Sequence, residues 1–170
     1  TNRGQKSVER SHLPVLGTLA DGLGGHSNGD IASRTVVARL NDAFKGSREE
    51  FRIDEAIADV HHYIRELEEG SSGSYAMGTT IVGAVINEER CTIFNVGDSR
   101  AYWIHDAGML QVSEDDVYPR ERTGILTQCL GAGHPVDPKP HFIQQAIRSG
   151  DILVLVYDGL TDAAVPYTTL

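Results

Sequence analysis

Along this chain the spacing of apolar residues changes character twice. Residues 13–20, "LPVLGTLA", form an almost unbroken apolar run of strand length, the pattern of a strand buried on both faces. After a glycine-rich stretch the period becomes helical: Val36, Val37, Leu40 and Phe44 recur at helical steps, and Asp30 is placed to cap that helix. A second helix is predicted from the stripe Ile53, Ile57, Val60, Ile64 and Leu67, stopping at the glycine–serine connection "EEGSSGS". Strands follow. "TTIVGAVIN" (79–87) and "CTIFNVGDSRAYWI" (91–104) are joined by a short charged turn, Glu88 to Arg90. "HDAG" (105–108) reads as a hairpin turn into "MLQVS", and "PHFIQQAI" and "DILVLVY" flank "RSGD", a further hairpin signal. Helices early and antiparallel strands late predict an α+β domain of packed sheets, not alternating βαβ units.

Size and charge narrow the class. At 170 residues the chain is expected to form a single domain, 1–170, with a core of its own. A net charge of −9 argues against nucleic acid as a partner and for a surface that attracts cations. The two cysteines, Cys91 and Cys129, match no zinc spacing; Cys91 sits in an apolar strand pattern as a buried free thiol, which favours a reducing, cytoplasmic location. The purest apolar run, "ILVLVY", is far too short to span a bilayer, and "TNRGQKSVER" has no apolar signal core, so no membrane association is expected. A monomer is expected.

Candidate chemistry lies in a recurrence. Asp21 follows "VLGTLA" and precedes Gly22; Asp158 follows "ILVLVY" and precedes Gly159; Asp98 follows "TIFNVG". Each apolar strand delivers a carboxylate to an end where glycine frees the backbone. Gathered together, such carboxylates would repel unless cations neutralised them, and hard oxygen ligands suit Mg²⁺ or Mn²⁺. Asp-Gly is also a common turn signal, and periodicity alone does not make these strands neighbours. A nucleotide fingerprint fails: Gly22-x-Gly24 lacks its third glycine, Asp42 falls within a helical pattern, and there is no P-loop. His61 and His62, adjacent on a helix, point in different directions and read as helix-surface or half-buried residues, while His134 and His141 read as loop or strand-edge residues.

Five blocks occur in order: "ADGLGGHSNGDIAS", "GTTIVGAVI", "FNVGDSRAYWI", "LTQCLGAG" and "GDILVLVYDGLTD". Together, from about Val15 to Asp162, they resemble the metal-dependent serine/threonine protein phosphatases of the protein phosphatase 2C (PPM) type, especially compact bacterial members. The resemblance implies a four-layer α-β-β-α sandwich, two packed antiparallel sheets flanked by helices. It implies two divalent ions, Mg²⁺ or Mn²⁺, with a weaker third. Asp21 would bridge the pair, Gly22 would offer its carbonyl, Asp158 would bind one ion, and Asp98 would belong to the cluster and the third ion. A bridging hydroxide would attack the phosphate of phosphoserine or phosphothreonine in a phosphorylated protein, the target of a Ser/Thr kinase, without a covalent enzyme intermediate. His26, in "GGH", is the candidate proton donor to the leaving oxygen, or else a cap for the following helix. Arg3 is a candidate contact for the substrate phosphate, with Lys6 and Arg10 as alternatives. Glycines 22, 24 and 25 are expected to let the backbone approach the ions.

The chain also departs from that pattern. "RGQKSVERSH" contains no aspartate, only "VYPRERTGI" replaces a longer flap before "LTQCLG", and "AAVPYTTL" lacks a final Asp-Asn pair. The expectation is a longer active phosphatase whose other segments are omitted, because Asp21, Asp98 and Asp158 all remain. The alternative is a catalytically impaired, phosphatase-like regulatory or binding domain.

Overall fold

The computed structural model describes residues 13–23, 27–48, 50–69, 76–105, 108–118, 125–132 and 136–159. Strand β1 (Val15–Leu19) pairs antiparallel with β3 (Ile81–Ile86), β3 with β4 (Arg90–Val96), and β4 with β8 (His141–Ala146), giving a first sheet of order β1-β3-β4-β8. The second sheet has order β6-β5-β9, from β6 (Gly108–Gln111), β5 (Arg100–His105) and β9 (Ile152–Val156). A two-residue ribbon pairs β2 (Gly78–Thr79) with β7 (Leu130–Gly131). Helices α1 (Ser27–Gly46) and α2 (Ile53–Glu69) pack on each other and against the first sheet.

The period of two along β3 and β4 explains why both strands are apolar throughout. Ile81, Phe94 and Val96 face the helices, where Val36, Leu40, Ile57, Val60 and Ile64 complete one core. Val82, Ala84, Cys91 and Ile93 face the second sheet, where Ala101, Trp103, Leu153 and Leu155 complete another. The predicted α+β class and its packed antiparallel sheets are present, and among the described residues the helices, the first sheet and the second sheet stack in that order. A helical turn opens at residues 158–159, past β9. Cys91 and Cys129 are free and buried. Among the described residues, no helix is long and apolar enough to cross a membrane.

Several boundaries differ from expectation. β1 is half-buried along its length, not buried on both faces, because among the described residues it pairs with β3 alone. α1 begins at Ser27, so Asp30 lies inside the first turn, where its charge suits the helix dipole and pairs with Arg34 at 2.8 Å. The Glu88–Arg90 turn forms as predicted, with Asn87 Oδ1 accepting from the Glu89 and Arg90 amides. "RSGD" does turn tightly, with Gly150 at φ 97° and Asp151 accepting the Arg148 amide, but it makes no hairpin. β8 pairs with β4 and β9 with β5, so the turn carries the chain from one sheet to the other. Turn chemistry dictates a reversal; which apolar face must be buried dictates the partner. The shortened flap is pinned at its base by a Val117–Leu126 bridge.

Candidate metal centre

Strand register brings the three aspartates to one end of the two sheets. In the first sheet Leu19 faces Val82, and two residues on, the Thr80 amide donates to the Asp21 carbonyl at 2.9 Å. Ile81 faces Val96, which sets Thr80 beside Gly97. In the second sheet Arg100 faces Val156, and two residues beyond each lie Asp98 and Asp158. The chain crosses between sheets at residues 97–99, so Asp98 belongs to both rows.

The side chains meet accordingly. Asp21 and Asp158 are hydrogen-bonded to each other, and burial together with that contact raises the Asp21 pKa above the usual carboxylate range. Burial, then the charges of Asp158, Asp115 and Asp21, push Asp98 up to about 6. Among the described residues, no three of His, Cys, Asp and Glu stand close enough to enclose one ion. Asp21 and Asp158 are in contact, whereas Asp98 feels them through charge alone. Carboxylates whose ionisation is opposed by burial and by one another are a donor set that a hard divalent cation relieves, so the chemistry of these residues fits a cation of that class.

Gly22 also packs closely against the start of α1. A β-carbon there would lie 2.2 Å from the Gly29 carbonyl oxygen. Its neighbours are stitched to β2: Gly22 bridges Thr79, and the Leu23 amide donates to the Gly78 carbonyl at 2.9 Å. Gly24, Gly25, His26, Arg3, Lys6 and Arg10 lie outside the described residues.

Sequence reasoning missed the groups that hold these loops. Thr79 Oγ1 donates to the Asp21 carbonyl at 2.8 Å. Thr80 Oγ1 accepts the Asp21 amide at 3.2 Å and lies 2.7 Å from Ser99 Oγ, so two buried hydroxyls join the loop of Asp21 to the turn of Asp98. Arg100 grips Asp115 with Nε and Nη2 at 2.8 and 2.6 Å, and this pair holds the guanidinium more firmly charged. The letters were visible in "GTT" and "GDSR"; only register shows that they face each other. His61 is fully buried, not at the helix surface, and its Nδ1 accepts the Gly131 amide at 3.2 Å. His62 is exposed and pairs with Asp137. His141 opens β8 at the sheet edge, as expected.

Residues 5–168 match the protein phosphatase 2C family. The chain is 31% identical over 184 residues to the serine/threonine phosphatase stp of Listeria monocytogenes serotype 4b (strain F2365), covering 95% of this chain and 71% of that protein. In shape it is similar to the Mycobacterium tuberculosis serine/threonine phosphatase PstP/Ppp, with a TM-score of 0.73 at 28% identity over 86% of this chain and 69% of that one. It is also similar to the catalytic domain of PstP in complex with two manganese ions, with a TM-score of 0.72 at 27% identity over 95% of this chain and 76% of that one. By sequence and by shape, the chain belongs to the protein phosphatase 2C family and is a metal-dependent serine/threonine phosphatase.

Proposed function

We propose that this chain hydrolyses phosphoserine and phosphothreonine in proteins phosphorylated by a Ser/Thr kinase, with Asp21 and Asp158 holding two divalent ions, Mg²⁺ or Mn²⁺. The observation that carries this reading is the contact between those two carboxylates, remote in sequence, at the end of the packed sheets. Asp21, the Gly22 carbonyl and Asp158 would hold the two ions, and Asp98, at longer range, would take a weaker third. When bound, the metal pair supplies positive charge to the phosphate oxygens and lowers the pKa of water towards neutrality.

The protein's own groups do the rest. The hydroxyls of Thr79, Thr80 and Ser99 fix the backbone that aims Asp21 and Asp98, so the carboxylates are positioned before substrate arrives. Because burial and the contact with Asp158 oppose ionisation of Asp21, protons would compete with a cation there, and metal affinity is expected to fall in acid. His26, by its position in "GGH", is the proposed proton donor to the departing serine or threonine oxygen, and Arg3, a basic residue ahead of Asp21, is the proposed phosphate contact. The acidic balance, −9 overall, suits a cation-dependent enzyme that does not bind nucleic acid. A single domain acting as a monomer in the cytoplasm completes the reading.

The test is turnover of a phosphothreonine peptide by the purified chain after chelation and after restoring Mn²⁺. Activity is expected only with the metal, and Asp21→Asn and Asp158→Asn are each expected to lower it at least about 100-fold. Turnover that survives the chelator, or that either substitution leaves intact, would overturn the assignment.

A further inference from the structure

A buried carboxylate, Asp116, stands behind the turn that carries Asp98. Asp116 is 6% exposed, and its side chain is saturated with donors from three separate segments. Oδ2 accepts the Gly97 amide at 2.8 Å. Oδ1 accepts from Gln128 Nε2 at 2.8 Å and from His141 Nε2 at 2.8 Å. The main chain reinforces the position: the Asp116 amide donates to the Gly97 carbonyl at 3.0 Å, and the Thr127 amide donates to the Asp116 carbonyl at 2.7 Å. The other ring nitrogen of His141, Nδ1, lies 3.3 Å from Glu114, while Gln128 Oε1 accepts the Lys139 amide at 2.8 Å.

Gly97 is the residue immediately before Asp98, and it sits at φ 100°, a conformation that leaves the peptide's orientation to outside contacts. One side of it is closed by Thr80, whose side chain lies 2.7 Å from where a β-carbon would stand. The Gly97 amide is held by the Asp116 carboxylate, and the Gly97 carbonyl accepts from the Asp116 amide and from Asn95 Nδ2 at 3.5 Å. A charged acceptor binds an amide about twice as strongly as a neutral one, and a group held by three donors has little freedom to yield. The turn that carries Asp98 is thus held by the Asp116 carboxylate through the Gly97 amide.

We propose that Asp116, fixed by His141 and Gln128, is a positioning residue that sets the aim of Asp98 through the Gly97 amide and so tunes divalent-cation affinity at Asp98. This rests on the reading of Asp98 as a metal-associated carboxylate. Groups that orient metal ligands from outside characteristically change affinity by about 10- to 100-fold when removed.

The experiment is a calorimetric Mn²⁺ titration of the full chain after chelation, with Asp98→Asn as the benchmark and melting in EDTA as the control for folding. Asp116→Asn keeps the shape but loses the charge; it is expected to weaken by about 10-fold the same Mn²⁺ binding step that Asp98→Asn weakens. Phosphatase activity of Asp116→Asn is expected to return at saturating Mn²⁺, with the change in metal half-saturation and not in KM for the phosphopeptide. His141→Leu removes one fixing donor and is expected to weaken the same step less, while His141→Gln, which presents an N–H again, restores it. These histidine variants decide the matter if Asp116→Asn does not fold. Unchanged Mn²⁺ affinity in Asp116→Asn and His141→Leu, beside a lower melting temperature, would reduce Asp116 to a structural role and overturn the proposal. If Asp98→Asn itself binds Mn²⁺ like the wild type, the underlying reading of Asp98 fails, and the proposal with it.

Discussion

Replacing Thr80 with valine tests how the site is tied to the fold. Thr80 and Ser99 are each 1% exposed, and their hydroxyl oxygens are 2.7 Å apart. Thr80 Oγ1 also accepts the Asp21 amide at 3.2 Å. Valine has nearly the same shape, so Thr80→Val removes only the hydroxyl. Ser99 Oγ then loses its partner in a place water does not reach, and the half-buried Asp21 amide loses its acceptor. An orphaned buried polar group costs about 1–3 kcal/mol and a lost net hydrogen bond about 1 kcal/mol, so about 2–4 kcal/mol is expected in all. For a chain of this length each kcal/mol moves the melting midpoint by about 2–4 °C, which gives a fall of about 4–16 °C. Thermal denaturation followed by circular dichroism in EDTA measures it. Thr80→Ser, which keeps the hydroxyl and sacrifices a methyl packed on Gly97, is expected to recover most of the loss. A Thr80→Val midpoint within about 2 °C of the wild type, or Thr80→Ser melting as low as Thr80→Val, would refute the reasoning.

The remaining predictions concern packing, charge and pH. Gly22→Ala places a β-carbon 2.2 Å from the Gly29 carbonyl, backbone against backbone, and is expected to lower stability by at least about 2 kcal/mol in urea unfolding and to abolish Mn²⁺ binding by calorimetry. Arg100→Lys keeps the charge but loses the two-pronged grip on Asp115, and a loss of about 1–2 kcal/mol by the same unfolding assay is expected. Asp98 is held at about 6 in the folded protein, above the ordinary aspartate range of the unfolded chain. Between about pH 4 and pH 6 the unfolded chain therefore gives up a proton that the folded chain keeps, so the metal-free protein loses stability as pH rises through that window. Roughly two pH units correspond to about 3 kcal/mol, which solvent screening of a half-exposed group reduces to about 1 kcal/mol. Urea midpoints against pH in EDTA are expected to show this slope, Asp98→Asn to flatten it, and Mn²⁺ to restore stability above pH 6.

Local periodicity made most elements legible. The stripe from Ile53 to Leu67 is α2, and the run at 79–87 is β3, but the run at 91–104 divides at residues 97–99 into β4, caught with β3 between two cores, and β5, which belongs to the second sheet. Pairing was less legible. "RSGD" has every local mark of a hairpin, yet β8 and β9 enter different sheets because each has a different apolar face to cover. At the site, Asp21, Asp98 and Asp158 stood out because each ends an apolar strand beside a glycine, and the order of five blocks joined them. Thr80, Ser99 and Asp116 did not stand out. Hydroxyls and carboxylates near strand ends are common, and what distinguishes these is register across the first sheet and the crossing at residues 97–99. Gly22 was read as a neighbour of the ions; its tight packing against Gly29 at the start of α1 was not legible, because it depends on how the helix returns to the strand end.

The central claim is that Asp21 and Asp158 close one divalent centre at the end of the paired sheets. Crystals grown with Mn²⁺ and measured at the manganese absorption edge test it directly. Anomalous peaks with carboxylate oxygens of both residues within about 2.0–2.4 Å are expected, the span of hard-cation coordination. Peaks elsewhere, or the two side chains turned to separate faces with no metal between them, would contradict the account.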